Sequence, residues 1–428
     1  MDVQGIEMYR LVEHLFPLPR SITGDGVRNT LQIIKGYLPE LQLIEVPSGT
    51  RCFDWIVPQE WNIREAWIID PKGTRIVDFK NNNLHLVGYS TPVDSTFTLE
   101  ELDAHLHSLT EQPDAIPYVT SYYERTWGFC LTDRMRRSLE AGSYRVKIDS
   151  SFIDGHITYA ELRLPGESER EIFLSTYICH PSMANNELSG PVVATFLSRW
   201  IASRSKRKFS YRIVFVPETI GSILYLSKNL DEMKRRTMAG FVLTCIGDER
   251  AFSFLPSRSG NTIADKIAKH VMKHACPDFT AYSFLDRGSD ERQYCSPGID
   301  LPVATVMRSK FGTYPEYHTS LDNLSLVTPD GLSGGLRVMQ RVVDALESDC
   351  IPQTATLCEP QLGRRGLYPM LSTAATRSKV RDMMNLIAYA DGCNTLIDIA
   401  ELIGVPVWEL RVICDALLRH GLLRELKT

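Results

Sequence analysis

No C-x-x-C pair occurs among the ten cysteines of this 428-residue chain, which lie at positions 52, 130, 179, 245, 276, 295, 350, 358, 393 and 414. Neither a zinc ribbon nor a disulfide framework is therefore indicated, and a reducing cytoplasm is the expected compartment. No run approaches the ~18 apolar residues of a membrane helix, and the first 20 residues lack the basic-then-apolar order of a secretion signal. Neither sign of charge is in large excess: 47 basic and 52 acidic side chains leave a formal net charge of −5. That balance offers no general attraction to nucleic acid or anionic membranes. Internal repeats and low-complexity tracts are also missing. What is present is a globular composition, 43% hydrophobic and 23% charged, over a length suited to two or three domains.

The texture changes along the chain. Residues 5–38 alternate apolar positions at helical spacing around a loop, Pro17-Leu18-Pro19-Arg20-Ser21-Ile22-Thr23-Gly24. From about 51 to 143, short β-rich runs broken by Gly, Pro and Asn predict hairpins. A hairpin is expected between 145–149 and 159–164. Apolar strands at 171–178, 211–216, 240–246 and 301–307 then alternate with amphipathic helices at 189–203, 222–236, 262–274 and 329–347. This alternation predicts an α/β fold, a mostly parallel central sheet with helices on both faces. The expected organisation is a split α/β domain over 1–50 and 144–353, an inserted β-rich domain over 51–143, a linker over 354–373 and a winged helix over 374–428.

In open α/β sheets ligands sit beyond the carboxyl ends of the strands, and four polar clusters fall there. They are Cys179-His180-Pro181 with Asn185-Asn186-Glu187-Leu188-Ser189-Gly190, Glu218-Thr219-Ile220-Gly221-Ser222, Arg287-Gly288-Ser289-Asp290-Glu291-Arg292, and Tyr317-His318-Thr319-Ser320-Leu321-Asp322. Two histidines with nearby carboxylates form the donor set of zinc-assisted hydrolysis. A glutamate such as Glu218 would move the proton, and Asp322 is placed to orient a ring by a hydrogen bond. Each cluster also has a plainer reading: Glu218 as a helix cap, Asp290 and Arg292 as an ion pair, each histidine as a satisfied polar residue.

The series His180…Leu188-Ser189-Gly190, Glu218-x-x-Gly221-Ser222, Ser289-Asp290 and Tyr317-His318-Thr319-x-x-Asp322 resembles the zinc aminopeptidase fold of bacterial leucyl aminopeptidases and glutaminyl cyclases. More closely, the whole chain resembles a bacterial family of aminopeptidase-like proteins with an inserted β domain and a C-terminal winged helix. The resemblance implies a zinc-dependent amidohydrolase, and also marks departures. Asn185-Asn186 stand where the aminopeptidases carry a metal-bridging aspartate. Thr219 replaces a ligand glutamate, and Thr244 or Cys245 falls where another aspartate is expected. The implied centre is thus a single zinc ion on His180, His318 and one carboxylate, Glu187 first and Asp290 second, with Glu218 as base.

Arg258, Arg287, Arg292 and Tyr317 are the substrate-binding candidates, for a small peptide or amide-containing metabolite. The competing expectations are a non-catalytic binding or scaffold protein and a DNA-binding regulator. Residues 378–428 carry six basic and seven acidic side chains, a poor balance for binding phosphates. A packing or homo-oligomer contact is therefore the expected role of the winged helix, with no nucleic-acid or membrane partner.

Overall fold

Residues Ile172, Phe173, Leu174 and their neighbours up to Tyr177 are buried on both faces, as a central parallel strand demands. The computed structural model describes residues 2–367 and 374–426. It divides into two units, Met1–Asp265 with Thr280–Arg337, and Lys266–Phe279 with Val338–Thr428.

In the first unit, helices α1 (Val3–Leu15) and α2 (Asp25–Tyr37) precede strand β1 (Gln42–Pro47). Strands β2 (Glu60–Ile69), β3 (Arg75–Asp78), β4 (Val93–Thr98) and β5 (Ser143–Ile153) form a separate antiparallel sheet of order β3-β2-β5-β4. The chain continues through β6 (His156–Leu164), β7 (Ser168–Tyr177), α3 (Ser189–Ala202), β8 (Phe209–Val216), α4 (Ile220–Arg236), β9 (Thr237–Val242), β10 (Ser253–Leu255), α5 (Ile263–Ala275, in the second unit from Lys266), β11 (Thr280–Ala281), β12 (Val303–Met307) and α6 (Pro329–Ser348, in the second unit from Val338). The central eight-stranded sheet has the order β1-β6-β8-β7-β9-β12-β10-β11. Its middle pairs, β8–β7, β7–β9 and β9–β12, are parallel, and antiparallel pairs flank them.

This order fixes where a site belongs. From β7 the chain steps to β8 on one side and then crosses back to β9 on the other. The carboxyl ends of β7 and β8 therefore border a topological switch point, where flanking loops diverge and leave a crevice. His180 follows β7 and Glu218 follows β8.

The expected hairpin between 145–149 and 159–164 does not form. Strand β5 pairs with β2 and β4, whereas β6 joins the central sheet. Alternation along these strands predicts one buried face without naming the sheet that buries it. The small sheet consequently runs through Ile153, past residue 143.

In the second unit, β13 (Ile351–Thr354) pairs antiparallel with the wing strand β14 (Leu423–Leu426), beside helices α7 (Ala374–Tyr389), α8 (Leu396–Ile403) and α9 (Val407–Arg419). Thr395 and Asp398 form a capping box on α8, and Gly404 ends it at φ 74°, the left-handed cap that glycine supplies. The winged module thus recruits a strand from before residue 374. Of the expected linker, residues 368–373 lie outside the described residues.

Gly190, in the first turn of α3, lets that helix seat on the ends of β7 and β9. A Cβ there would lie 2.4 Å from the Leu243 carbonyl oxygen and 2.6 Å from Thr176 Oγ1. Gly190→Ala is expected to cost about 1–3 kcal/mol, read as a lower denaturation midpoint in urea.

Candidate active site

The loop after β7 is shaped by a carboxylate from elsewhere in the chain. Residues Ala184–Leu188 form a single π-helical turn. Asp322 Oδ1 accepts the backbone N–H groups of Ala184 at 3.1 Å and Asn185 at 2.6 Å, and Oδ2 accepts that of Asn186 at 2.8 Å. One side chain satisfies three donors that the turn leaves open. Asp322 also accepts from the Tyr314 hydroxyl at 3.2 Å. It orients no imidazole, contrary to the sequence expectation; it joins the His318 loop to the His180 loop.

His180 is 4% exposed, and both ring nitrogens face acids. Nδ1 lies 3.0 Å from Glu187 Oε2, and Nε2 lies 3.6 Å from Glu218 Oε2. Burial pulls its pKa down, but Cys179 and Glu187 hold it well above the usual histidine value. The Cys179 thiol is itself pushed up to about 11 by burial. Arg20, fully buried, donates from Nε to the His180 carbonyl at 3.0 Å and lies 3.8 Å from Glu187 Oε1.

His318 comes within 5.4 Å of His180, measured between ring centroids. The Tyr317 ring stacks on it at 3.9 Å and 14°. Burial, then the neighbouring His180 charge, lowers its pKa to about 3, so this imidazole is neutral with a free lone pair. The inserted domain closes the other side. Tyr118 donates its N–H to the His318 carbonyl at 2.9 Å, and its ring lies 5.1 Å from His180 and 5.2 Å from His318.

Glu218 has its carboxyl raised by burial, with His180 and Arg292 opposing. Asp290 is pushed up to about 7 by burial and by Glu218. Asp290 Oδ1 accepts the Thr219 N–H and the Ser222 hydroxyl, each at 2.8 Å, so Asp290, not Glu218, caps the start of α4. Arg292 is not its ion-pair partner and donates instead to Thr219 Oγ1 at 2.6 Å.

Four non-glycine residues around this crevice have left-handed backbones: Ser182 (φ 45°), Thr219 (φ 64°), Cys245 (φ 46°) and His318 (φ 57°). For a β-branched residue such as Thr219 this is a true outlier. Each such residue costs of order 1–3 kcal/mol and persists only where its surroundings enforce it. Their clustering at one strand edge marks a site.

The candidates named from sequence therefore divide. His180, Glu187, Glu218, Asp290, His318, Tyr317 and Arg292 adjoin this crevice. Arg258 instead forms an exposed ion pair with Asp300, and Arg287 lies over the Phe284 ring. Arg20 and Tyr118 were not anticipated. Arg20 sits in the Pro-Leu-Pro-Arg loop, whose only signal is its punctuation by proline.

Among the described residues, three or more potential metal-ligand atoms lie within 4.8 Å of one another in Cys179–His180–Glu187 and in His270–His274–Glu401. In the second group His270 is already engaged on both nitrogens, with Glu401 at Nδ1 and the Val407 N–H at Nε2. The triad at the crevice does not include His318; the two imidazoles and nearby carboxylates are nonetheless of the ligand types found in catalytic zinc sites. Five buried oxygens of bordering residues, Asn186 Oδ1, Glu187 Oε1, Ser289 Oγ, Asp290 Oδ2 and Glu291 Oε2, lack hydrogen-bond partners. A second ion is not provided for. Asp248 spends its oxygens on the Asn185 amide, the Arg250 N–H and the Ser309 N–H and hydroxyl, and Thr219 offers only a hydroxyl.

Comparison with known proteins agrees with this architecture. The family described as Domain of unknown function (DUF4910) matches residues 9–349, and the winged helix-turn-helix family matches residues 350–425. A Clostridium acetobutylicum protein provisionally named for polysaccharide biosynthesis, with an aminopeptidase-like domain, is 44% identical over 98% of this chain and 96% of its own length. The crystal structure of a candidate peptidase from Clostridium acetobutylicum is similar at TM-score 0.93 and 43% identity, over 99% of this chain and 96% of that one. A zinc aminopeptidase from Bacillus subtilis shares the fold at TM-score 0.58 and 11% identity, over 79% of this chain and 94% of that one.

Asp322 also sets a pH dependence. Burial raises it from 3.8 to about 6 against the pull of its backbone donors. Between these values the folded chain holds a proton that the unfolded chain has lost. The contribution to stability is full below pH ~4 and disappears as pH rises through 6. Its size is of order 3 kcal/mol. Urea midpoints measured from pH 4 to 7 are expected to lose this component in Asp322→Asn, which is also less stable overall.

Proposed function

Because the chain belongs to the DUF4910 family of aminopeptidase-like domains with a C-terminal winged helix-turn-helix, we propose that it is a single-zinc amidohydrolase. The observation that carries this reading is the meeting of His180, Glu218 and His318 at the carboxyl edge of β7 and β8. His180 and His318 would hold the ion, with the unpartnered Asp290 Oδ2 as the third donor. Zinc, when bound, lowers the pKa of its water and polarises the scissile carbonyl.

The chain's own residues supply the rest. Glu218, raised by burial and partly open to solvent, is suited to accept a proton at its carboxylate and return it to a leaving amine. Its raised pKa lessens the penalty for carrying that proton. Tyr317 holds the His318 ring flat by stacking. Tyr118 and the buried edge of the insert exclude water from that side. Arg292 is the exposed cation at the rim, which favours a substrate with a carboxylate or another anionic group beside its amide. Glu291, between Asp290 and Arg292 in sequence, spends Oε1 on the Gly288 and Ser289 N–H groups and is fully buried. A small peptide or amide-containing metabolite fits these features, and the name of the clostridial relative supports the latter.

A second reading, a non-catalytic binding protein, is favoured by one observation: His180 between Glu187 and Glu218 satisfies its charge without an ion. The winged module is read as a packing element. Its acidic residues Asp398 and Glu401 pair with Lys266 and Lys273 of α5, and its Arg411 pairs with Asp415 and Glu425. The unpaired cysteines support a cytoplasmic location.

Elemental analysis of purified protein is expected to give one zinc per chain, lost in His318→Ala. Glu218→Gln is expected to retain the metal while amide hydrolysis falls by about 10²–10⁴-fold. Protein with no affinity for added zinc would refute the hydrolase. A mobility-shift assay at low salt is expected to detect no DNA complex; a retained band would restore the regulator reading.

A further inference from the structure

The geometry of Glu187 suits a task other than metal ligation. Its Oε2 faces Nδ1 of His180 at 3.0 Å, while the opposite ring edge, Nε2, faces Glu218 on the partly open side. A carboxylate accepting the Nδ1 proton holds that proton in place, so the one a cation displaces is the proton on Nε2. The same pairing stops the ring from flipping, and Tyr118 and Tyr177, with centroids at 5.1 and 5.3 Å, wall its faces.

Glu187 is itself secured. Its side chain and that of Arg20 are both fully buried. Arg20 spans three groups: Nη1 donates to the Leu15 carbonyl at 2.6 Å, Nε donates to the His180 carbonyl at 3.0 Å, and the guanidinium lies 3.8 Å from Glu187 Oε1. It therefore grips the main chain of the histidine and neutralises the acid that holds its ring. Without that cation Glu187 would be an uncompensated buried charge.

We propose that Arg20 and Glu187 form a positioning pair that presents Nε2 of His180 to a single zinc ion, and that Glu187 does not touch the metal. The inference rests on the zinc reading above. It assigns a function to the N-terminal Pro-Leu-Pro-Arg loop, which supplies no ligand of its own.

The test uses the full-length protein and zinc alone, titrated against a chromophoric chelator. Glu187→Gln is expected to keep one zinc per chain with affinity weakened about 10–100-fold. The visible band positions of the cobalt-substituted protein are expected to stay as in the wild type, because the ligand set is unchanged. Adding Arg20→Met to Glu187→Gln is expected to weaken zinc binding no further, since Arg20 acts through Glu187. Should Arg20→Met unfold the chain, Glu187→Gln, nearly isosteric, decides the question by itself. Loss of the bound metal or shifted cobalt bands in Glu187→Gln would make Glu187 a ligand and overturn the proposal; unchanged affinity would overturn it too. Wild-type protein that binds no zinc would instead overturn the underlying hydrolase reading, a result that needs no variant to be seen.

Discussion

Three backbone N–H groups converging on one buried carboxylate hold this site together. Asp322 lies four residues beyond His318, and the turn it captures lies four residues beyond His180. The two imidazoles come from loops far apart in sequence, and no direct hydrogen bond joins the rings. Their separation is set by the Asp322 contacts and by the seating of α3 through Gly190. A carboxylate suits this work because it accepts several donors at once, which no neutral side chain of its size does.

The cost of the arrangement is visible around it. Four carboxylates, Glu187, Glu218, Asp290 and Asp322, are drawn together in and around one crevice. Asp290 and Asp322 respond with raised pKa values, while Glu187 is matched by Arg20. Strained backbone at Ser182, Thr219, Cys245 and His318 adds to the burden. Stabilities of whole domains are only about 5–15 kcal/mol, so the densely packed sheet beneath must offset these local penalties. Pre-organisation of this kind is characteristic of sites in which charge moves during a reaction.

Much of this was legible in the sequence. Apolar strands alternating with amphipathic helices gave the central sheet, and polar residues at strand ends gave His180, Glu218 and His318. What escaped has identifiable reasons. Asp322 binds backbone, and backbone donors leave no mark in a side-chain pattern. Arg20 reaches its partners across the fold from a loop whose residues look like a simple turn. The partner sheet of β5 could not be read because alternation fixes which face is buried and not what covers it. The pairing of β13 with the wing was hidden for the same reason. Arg258 and Arg287 were proposed on charge alone; Asp300 and Phe284 account for them at the surface.

The insert meets the α/β scaffold through main-chain bonds at the His318 loop: Tyr118 to His318, Ser320 to Ile116, and the bridge of Pro117 with Thr319. A hinged flap attached in that way would drag an imidazole with it whenever it opened. This wall and the His318 loop are therefore joined through the backbone, whereas the opposite bank of the crevice, with Glu218, Tyr317 and Arg292, meets solvent.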